Sequence, residues 1–325
     1  MTDVPNKPIT TDQHYVPKFY LKRFVNERKC LKVLDIKNAK LQTTWRAYAT
    51  LGYEKFYYAV HTGVPDVVSQ QIEDFFTQLE NGIASRLDGI HKKILQYQPI
   101  TNEERYVIAT LGAMLYLRGK YMREQLKRGN ESIFRQMMIR YADHPAFPQS
   151  IQATAEANEI LTTAQEIEEC RLMLLEGDYD VAFDNTSHLF LLGEVQGFAN
   201  MLYNKPWIAH LAQEQDKFFT SDTPMLEILP EKKHFHGPHF MERTHYLPLS
   251  PKMVIEFIPS MHGKPLKRKV ADTRKVFDLN TLRLAHSIDE AYSGWLEEFE
   301  VQLVGKSDPA LFRLQHALSN LARFK

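Results

Sequence analysis

Phe218-Phe219-Thr220-Ser221-Asp222-Thr223-Pro224 sets a carboxylate and three hydroxyls at the end of an apolar, strand-like run. A carboxylate so placed can act as a base or hold a divalent metal. The same residues also suit a turn in which Ser221 and Asp222 bond only their own backbone before Pro224. Spacing alone leaves both readings open. His14, Tyr15 and Lys18 form a second group. An imidazole of near-neutral pKa serves as general acid or base, and Lys18 suits a phosphate or carboxylate. The alternative is that His14 and Tyr15 pack the start of a helix onto a sheet. Third, Arg118 follows Leu115-Tyr116-Leu117 in an apolar stretch and is expected to point inward. A buried guanidinium needs an anionic partner, from the protein or from a substrate phosphate. Glu80, on the same helix face as Glu73, is either that partner or a surface charge.

Two further clusters have simpler readings. Lys233-His234-Phe235-His236-Gly237-Pro238-His239, with His245 beyond, has the histidines of a metal site but no cysteine or paired carboxylate at matching spacing, so a surface loop is expected. Lys264 to Lys269 is the only dense basic run; a solvated loop is the default and contact with nucleic acid the alternative. There is no GxxxxGK[ST], GxGxxG after a strand, GxSxG or HExxH, which excludes the best-marked ATPase, dinucleotide-binding, α/β-hydrolase and zincin classes.

These residues need elements to position them. Residues 1–13 read as a flexible lead-in, and Pro17 opens a short helix. A hairpin is expected from Leu31–Ile36 and Leu41–Trp45, and a strand at 56–60. From residue 66 to Pro99 apolar residues recur every three or four positions, as in one long amphipathic helix. Thr101 and Glu104 form a capping box for a helix running to about Lys127, stopped near Gly129-Asn130. Helices follow at 131–142, 149–176 and 189–202, with a turn at Gly177-Asp178. Short strands punctuated by proline are expected at 207–211, 217–220, 225–229, 245–249 and 253–258, the prolines arguing for edge or terminal positions. Helices over 273–301 and 308–323 close the chain. The expected fold is therefore α+β: a mixed or antiparallel sheet from N- and C-terminal strands, with a helical block over about 66–205 packed on it, all in a single domain over 14–325.

The 325 residues carry 40 basic and 40 acidic side chains, so binding of nucleic acid through bulk charge is excluded and would need a local patch. The 44% hydrophobic content excludes a disordered chain. Cys30 and Cys170 read as two buried free thiols of a reducing compartment, with one long-range disulfide as the alternative. With no signal peptide and no long apolar run, the chain is expected to be cytoplasmic and off the membrane.

His14-Tyr15-Val16-Pro17-Lys18-Phe19-Tyr20-Leu21-Lys22-Arg23-Phe24 resembles the H-x-x-P-x-x-x-L-x-x-F opening of the bacterial family catalogued as domain of unknown function 4238. Ile72-Glu73 with Glu80, the Arg118 helix, Trp207, Phe219-Thr220-Ser221-Asp222-Thr223-Pro224 and Leu247-Pro248-Leu249-Ser250-Pro251 follow that family's order over about 14–290. Thr223 departs from the asparagine more usual there. The resemblance puts weight on His14, Arg118, Ser221 and Asp222 but implies no activity; families of this kind often lie in defence-rich gene neighbourhoods.

These residues fit two functions. In the first, the protein is a hydrolase or phosphodiesterase, nuclease-like, acting on a phosphate-bearing small molecule or nucleic acid. His14 is its acid/base, Asp222 and Ser221 join it in catalysis (Asp222 with a divalent metal or as base), and Tyr15, Lys18 and Arg118 hold the substrate. In the second, it is a non-enzymatic binding or regulatory module whose motif residues form a structural polar network.

Overall fold

Regular structure begins inside the expected lead-in. Asp12–His14 form strand β1, with Gln13 fully buried. Its amide bonds the Tyr58 N–H at 2.7 Å, the Ser69 hydroxyl and the Thr10 carbonyl, which satisfies a polar group that would otherwise resist burial. The computed structural model describes residues 10–36, 40–41, 45–61, 65, 67–228, 242–259 and 266–294. It separates into two units, Met1–Met122 with Asn185–Lys325, and Arg123–Asp184. The stretches 233–239 and 308–323 lie outside the described residues.

In the first unit Pro17 precedes helix α1 (Lys18–Leu21). Strands β2 (Cys30–Asp35) and β3 (Lys40–Leu41) make the expected hairpin, with Leu34 opposite Leu41, and β4 (Arg46–Ala47) also pairs with β2. Strand β5 (Tyr53–Lys55) runs antiparallel to β1 and places Tyr53 opposite His14. The strand expected over 56–60 does not form, because Phe56 adopts φ +51° and turns the chain.

Helix α2 (Val67–Leu95) buries Phe76, Ile83, Leu87, Ile90 and Ile94 at the expected spacing. Helix α3 (Asn102–Arg118) opens on the Thr101–Glu104 capping box, both of whose bonds are present. From Val107 to Arg118 it is buried on every side, the mark of a central core helix. It stops at Arg118 and not near Lys127. Gly119 leaves helical conformation with ψ 154°, and a Cβ there would sit 3.1 Å from the Leu115 carbonyl oxygen. Gly129, the expected stop, has open space around it, and α4 (Lys120–Ala142) runs through it.

In the second unit, α4 residues meet α5 (Phe147–Ala157) and α6 (Ala164–Glu176) around Ala142, Phe147 and Ile167. The single helix expected over 149–176 is broken, because Thr163 and Glu166 form a second capping box that starts α6 afresh. Gly177, at φ +75°, ends α6 as the turn reading requires.

Back in the first unit, α7 (Thr186–Leu192) and α8 (Val195–Asn204) replace one expected helix, parting at Gly193. The remaining elements are β6 (Trp207–Ala212), β7 (Thr220–Ser221), β8 (Leu226–Ile228), β9 (Thr244–Ser250), β10 (Met253–Phe257), β11 (Lys267–Ala271), α9 (Thr273–His286) and β12 (Glu290–Ser293). One sheet has the order β11-β6-β10-β9-β8, with β11 parallel to β6. Another runs β3-β2-β12-β7 and so joins N- and C-terminal strands. The fold is α+β.

Three local expectations change. The helix expected over 273–301 ends at His286, and β12 follows because its backbone pairs with β2 on one side and β7 on the other. Residues 267–269 of the basic run lie in a strand, not a loop. Pro248 sits in β9, which is neither an edge nor an end. It is tolerated because β8 pairs only with Thr244–Tyr246; beyond that, the Pro248 carbonyl accepts from the Tyr20 hydroxyl at 2.8 Å. No described helix is long and apolar enough to cross a membrane.

Candidate functional site

Arg118 ends the central helix with only 1% exposure, and all three of its nitrogens are engaged. Nε donates to the Tyr58 hydroxyl at 2.8 Å, Nη1 to Glu80 at 2.5 Å, and Nη2 to the main-chain carbonyl of His14. Its guanidinium also stacks 4.3 Å from the Phe76 ring centroid. The Tyr58 hydroxyl in turn donates to the same His14 carbonyl at 2.9 Å. Arg118 therefore ties β1, α2 and α3 together. The anionic partner it needs is Glu80, and its donors are spent inside the protein rather than offered to a phosphate.

The groups beside this clamp are less complete. The His14 Nε2 and Glu73 Oε1 atoms are buried and have no hydrogen-bond partner among the described residues, a condition rare enough in folded proteins to call for an explanation. Burial, then Lys18 and Arg118, push the His14 imidazole down to about 4, against hydrogen bonding to the Ala49 and Asp12 backbone. Burial pushes the Glu73 carboxyl up to about 7; Arg118 opposes this, while Glu80 and Asp74 add to it. Lys18, exposed in α1, acts electrostatically on both groups. Near neutral pH this gives a neutral imidazole and a carboxyl poised to exchange its proton.

Asp222 and Ser221 occupy a second cluster. Ser221 donates to the Thr223 carbonyl at 3.0 Å and accepts from the Thr223 N–H at 3.1 Å, which is the self-bonded turn before Pro224. Asp222 is fully buried and accepts from the backbone N–H groups of Ile288, Asp289 and Glu290 at 3.1, 2.5 and 3.1 Å. Burial lifts its pKa to about 6, against the pull of these N–H groups and of Lys120. Both carboxylate oxygens are thus committed to donors, which does not fit a divalent metal. Among the described residues no three His, Cys, Asp or Glu side chains gather to hold one. The Arg283 guanidinium, also buried, closes the turn by donating to the Thr223 and Pro224 carbonyls at 3.2 and 2.6 Å.

Tyr15 belongs with Asp222 and not with its neighbour His14. It is buried, its hydroxyl bonds Tyr292, and the Lys120 ammonium lies 4.8 Å from its ring centroid. Lys120 is itself held by Glu54 at 2.6 Å and Asp289 at 2.5 Å. The structure therefore brings His14, Lys18 and Arg118 together, and separately Tyr15, Ser221 and Asp222. Glu73 is not singled out by the sequence as a candidate in its own right; its signals there are its place one heptad before Glu80 and the Ile72-Glu73 motif of the family resemblance. Of the histidine cluster only His245 is described. It is buried in β9, its Nδ1 3.1 Å from the Lys205 ammonium.

The family model described as protein of unknown function (DUF4238) matches residues 12–294, so the chain belongs to that family. No curated protein and no solved structure matches it.

Proposed function

We propose that this member of the DUF4238 family is an acid–base hydrolase of phosphate-bearing substrates, with His14 and Glu73 as its proton-handling pair and Lys18 as the cation that meets the phosphate. The observation that carries the reading is two buried polar atoms without a partner among the described residues, His14 Nε2 and Glu73 Oε1, beside one exposed lysine. Neutral His14 takes a proton from the water whose oxygen bonds phosphorus. As the bond from phosphorus to the leaving oxygen breaks, protonated Glu73 gives that oxygen its proton. Lys18 offsets the charge that develops. Arg118 positions His14 through its main-chain carbonyl without touching substrate. Nucleotides and nucleic acids are the natural substrate class, and cleaving them would suit a toxin or defence role. We place the protein in the cytoplasm on the strength of two free cysteines, Cys30 and Cys170.

The test is hydrolysis of bis(4-nitrophenyl) phosphate and of short oligonucleotides. His14→Gln and Glu73→Gln should each slow turnover by about 100-fold or more at a temperature where each variant remains fully folded. An inert wild type, or a Glu73→Gln variant as active as wild type, refutes the reading. One observation favours the second reading, a non-enzymatic module: Arg118, Ser221 and Asp222 are all engaged within the protein. On that reading His14→Gln and Glu73→Gln change only stability.

A further inference from the structure

We propose that the edge strand β11 and the C-terminal end of α2 form a binding surface for single-stranded nucleic acid, with Tyr97 as its stacking platform. The starting point is a residue in the wrong conformation for its type. After α2, the Tyr97 N–H donates to the Ile94 carbonyl at 3.2 Å and the Gln98 N–H to the Lys93 carbonyl at 2.8 Å. This pair of bonds puts Tyr97 where a helix usually ends on glycine, and its φ is +60°. A bulky side chain is disfavoured there. Burial gives no compensation, because Tyr97 is 59% exposed. Strain of this kind concentrates where an exposed group is put to use.

What surrounds Tyr97 indicates the ligand. Arg268 of β11 donates to the Ile94 carbonyl at 3.1 Å and to the Gln98 carbonyl, which locks the strand to the helix end. Its guanidinium lies 5.8 Å from the Tyr97 ring centroid. Among the described strands β11 pairs only with β6, so no described strand covers its other edge. The strand carries cations on both faces: Arg268 toward α2, Lys267 and Lys269 away from it. Both lysines are exposed and neither has an ion-pair partner among the described residues; Lys92, in the last turn of α2, is exposed as well. A phosphate backbone following that edge meets these cations, while a base stacks on Tyr97. Cationic tracks with an aromatic platform suit single strands, whose bases are free to stack. This is the local patch that a chain of zero net charge requires. It lies roughly 33 Å along α2 from Glu73, and it stands whether or not His14 and Glu73 are catalytic.

The test is fluorescence anisotropy of the full chain with a labelled oligothymidylate of about twelve nucleotides. Tyr97→Gly should weaken binding about tenfold or more while raising the melting temperature, because glycine relieves the backbone. Tyr97→Phe should bind as wild type does. Replacing Lys267 and Lys269 with alanine should reduce the slope of log affinity against log salt by about 1.4. The proposal is overturned if wild type fails to bind at about 50 mM salt, if Tyr97→Gly binds as tightly as wild type, or if polyglutamate of equal charge competes as well as unlabelled oligothymidylate.

Discussion

The Arg118 guanidinium donates to the main-chain carbonyl of His14 and not to its imidazole. The arginine therefore fixes where the histidine stands and leaves the ring to other work. The two residues are 104 positions apart in sequence, and the bond sets a strand against the end of the core helix.

Arg118→Met should lower the free energy of unfolding by about 3–5 kcal/mol, because it strands the Glu80 carboxylate and removes donors to Tyr58 and His14. Urea denaturation measures this. A loss below about 1 kcal/mol would show that the clamp contributes little.

Asp222→Asn should cost about 1–3 kcal/mol, since an amide nitrogen would face backbone N–H groups that now meet an oxygen. Hydrogen exchange gives the local readout. The amides of Ile288, Asp289 and Glu290 should lose protection selectively; unchanged protection there contradicts the clamp.

The pH dependence of stability should separate Glu73 from His14. The Glu73 pKa rises on folding from 4.5 to about 7. Its contribution is therefore fully present below about 4.5 and is lost as pH rises through about 7. The His14 pKa falls from 6.5 to about 4. Its contribution is present above about 6.5 and is lost as pH falls through about 4. Relative to wild type, Glu73→Gln should gain stability as pH rises from 5 to 7, and His14→Gln should lose it over about the same range. Thermal melts across that range would show curves diverging in opposite senses, and parallel curves would remove the ionisation argument.

Gly294→Ala should destabilise by about 1–3 kcal/mol through overpacking. A Cβ there would lie 2.5 Å from the Asn26 nitrogen and 2.7 Å from the Val25 carbonyl carbon, and the Gly294 N–H already donates to the Phe24 carbonyl at 2.8 Å. A melting temperature equal to wild type would mean that the loop at Val25–Asn26 yields freely.

Much of the local structure was legible from short-range chemistry. The Thr101–Glu104 box, the apolar spacing of α2 and the Ser221–Pro224 turn each depend on residues within a few positions of one another. The candidate site was legible only in part. Glu73 reads as one more helical glutamate until the fold buries it beside Arg118, and its pKa is a property of that burial. Asp222 looked like a metal ligand because the N–H groups that occupy it come from 66 to 68 residues away.

By itself the sequence determined the α+β composition, the long amphipathic helix, the capped starts and the polar residues worth watching, because periodicity, capping and turn chemistry act over a few residues. Only the tertiary structure decided that Gly119 and not Gly129 ends the core helix, that 290–293 is a strand and not a helix, and that the expected site residues divide between two clusters. Those outcomes rest on close packing and on hydrogen bonds between distant segments. A side chain's role there depends on what the rest of the fold leaves within its reach.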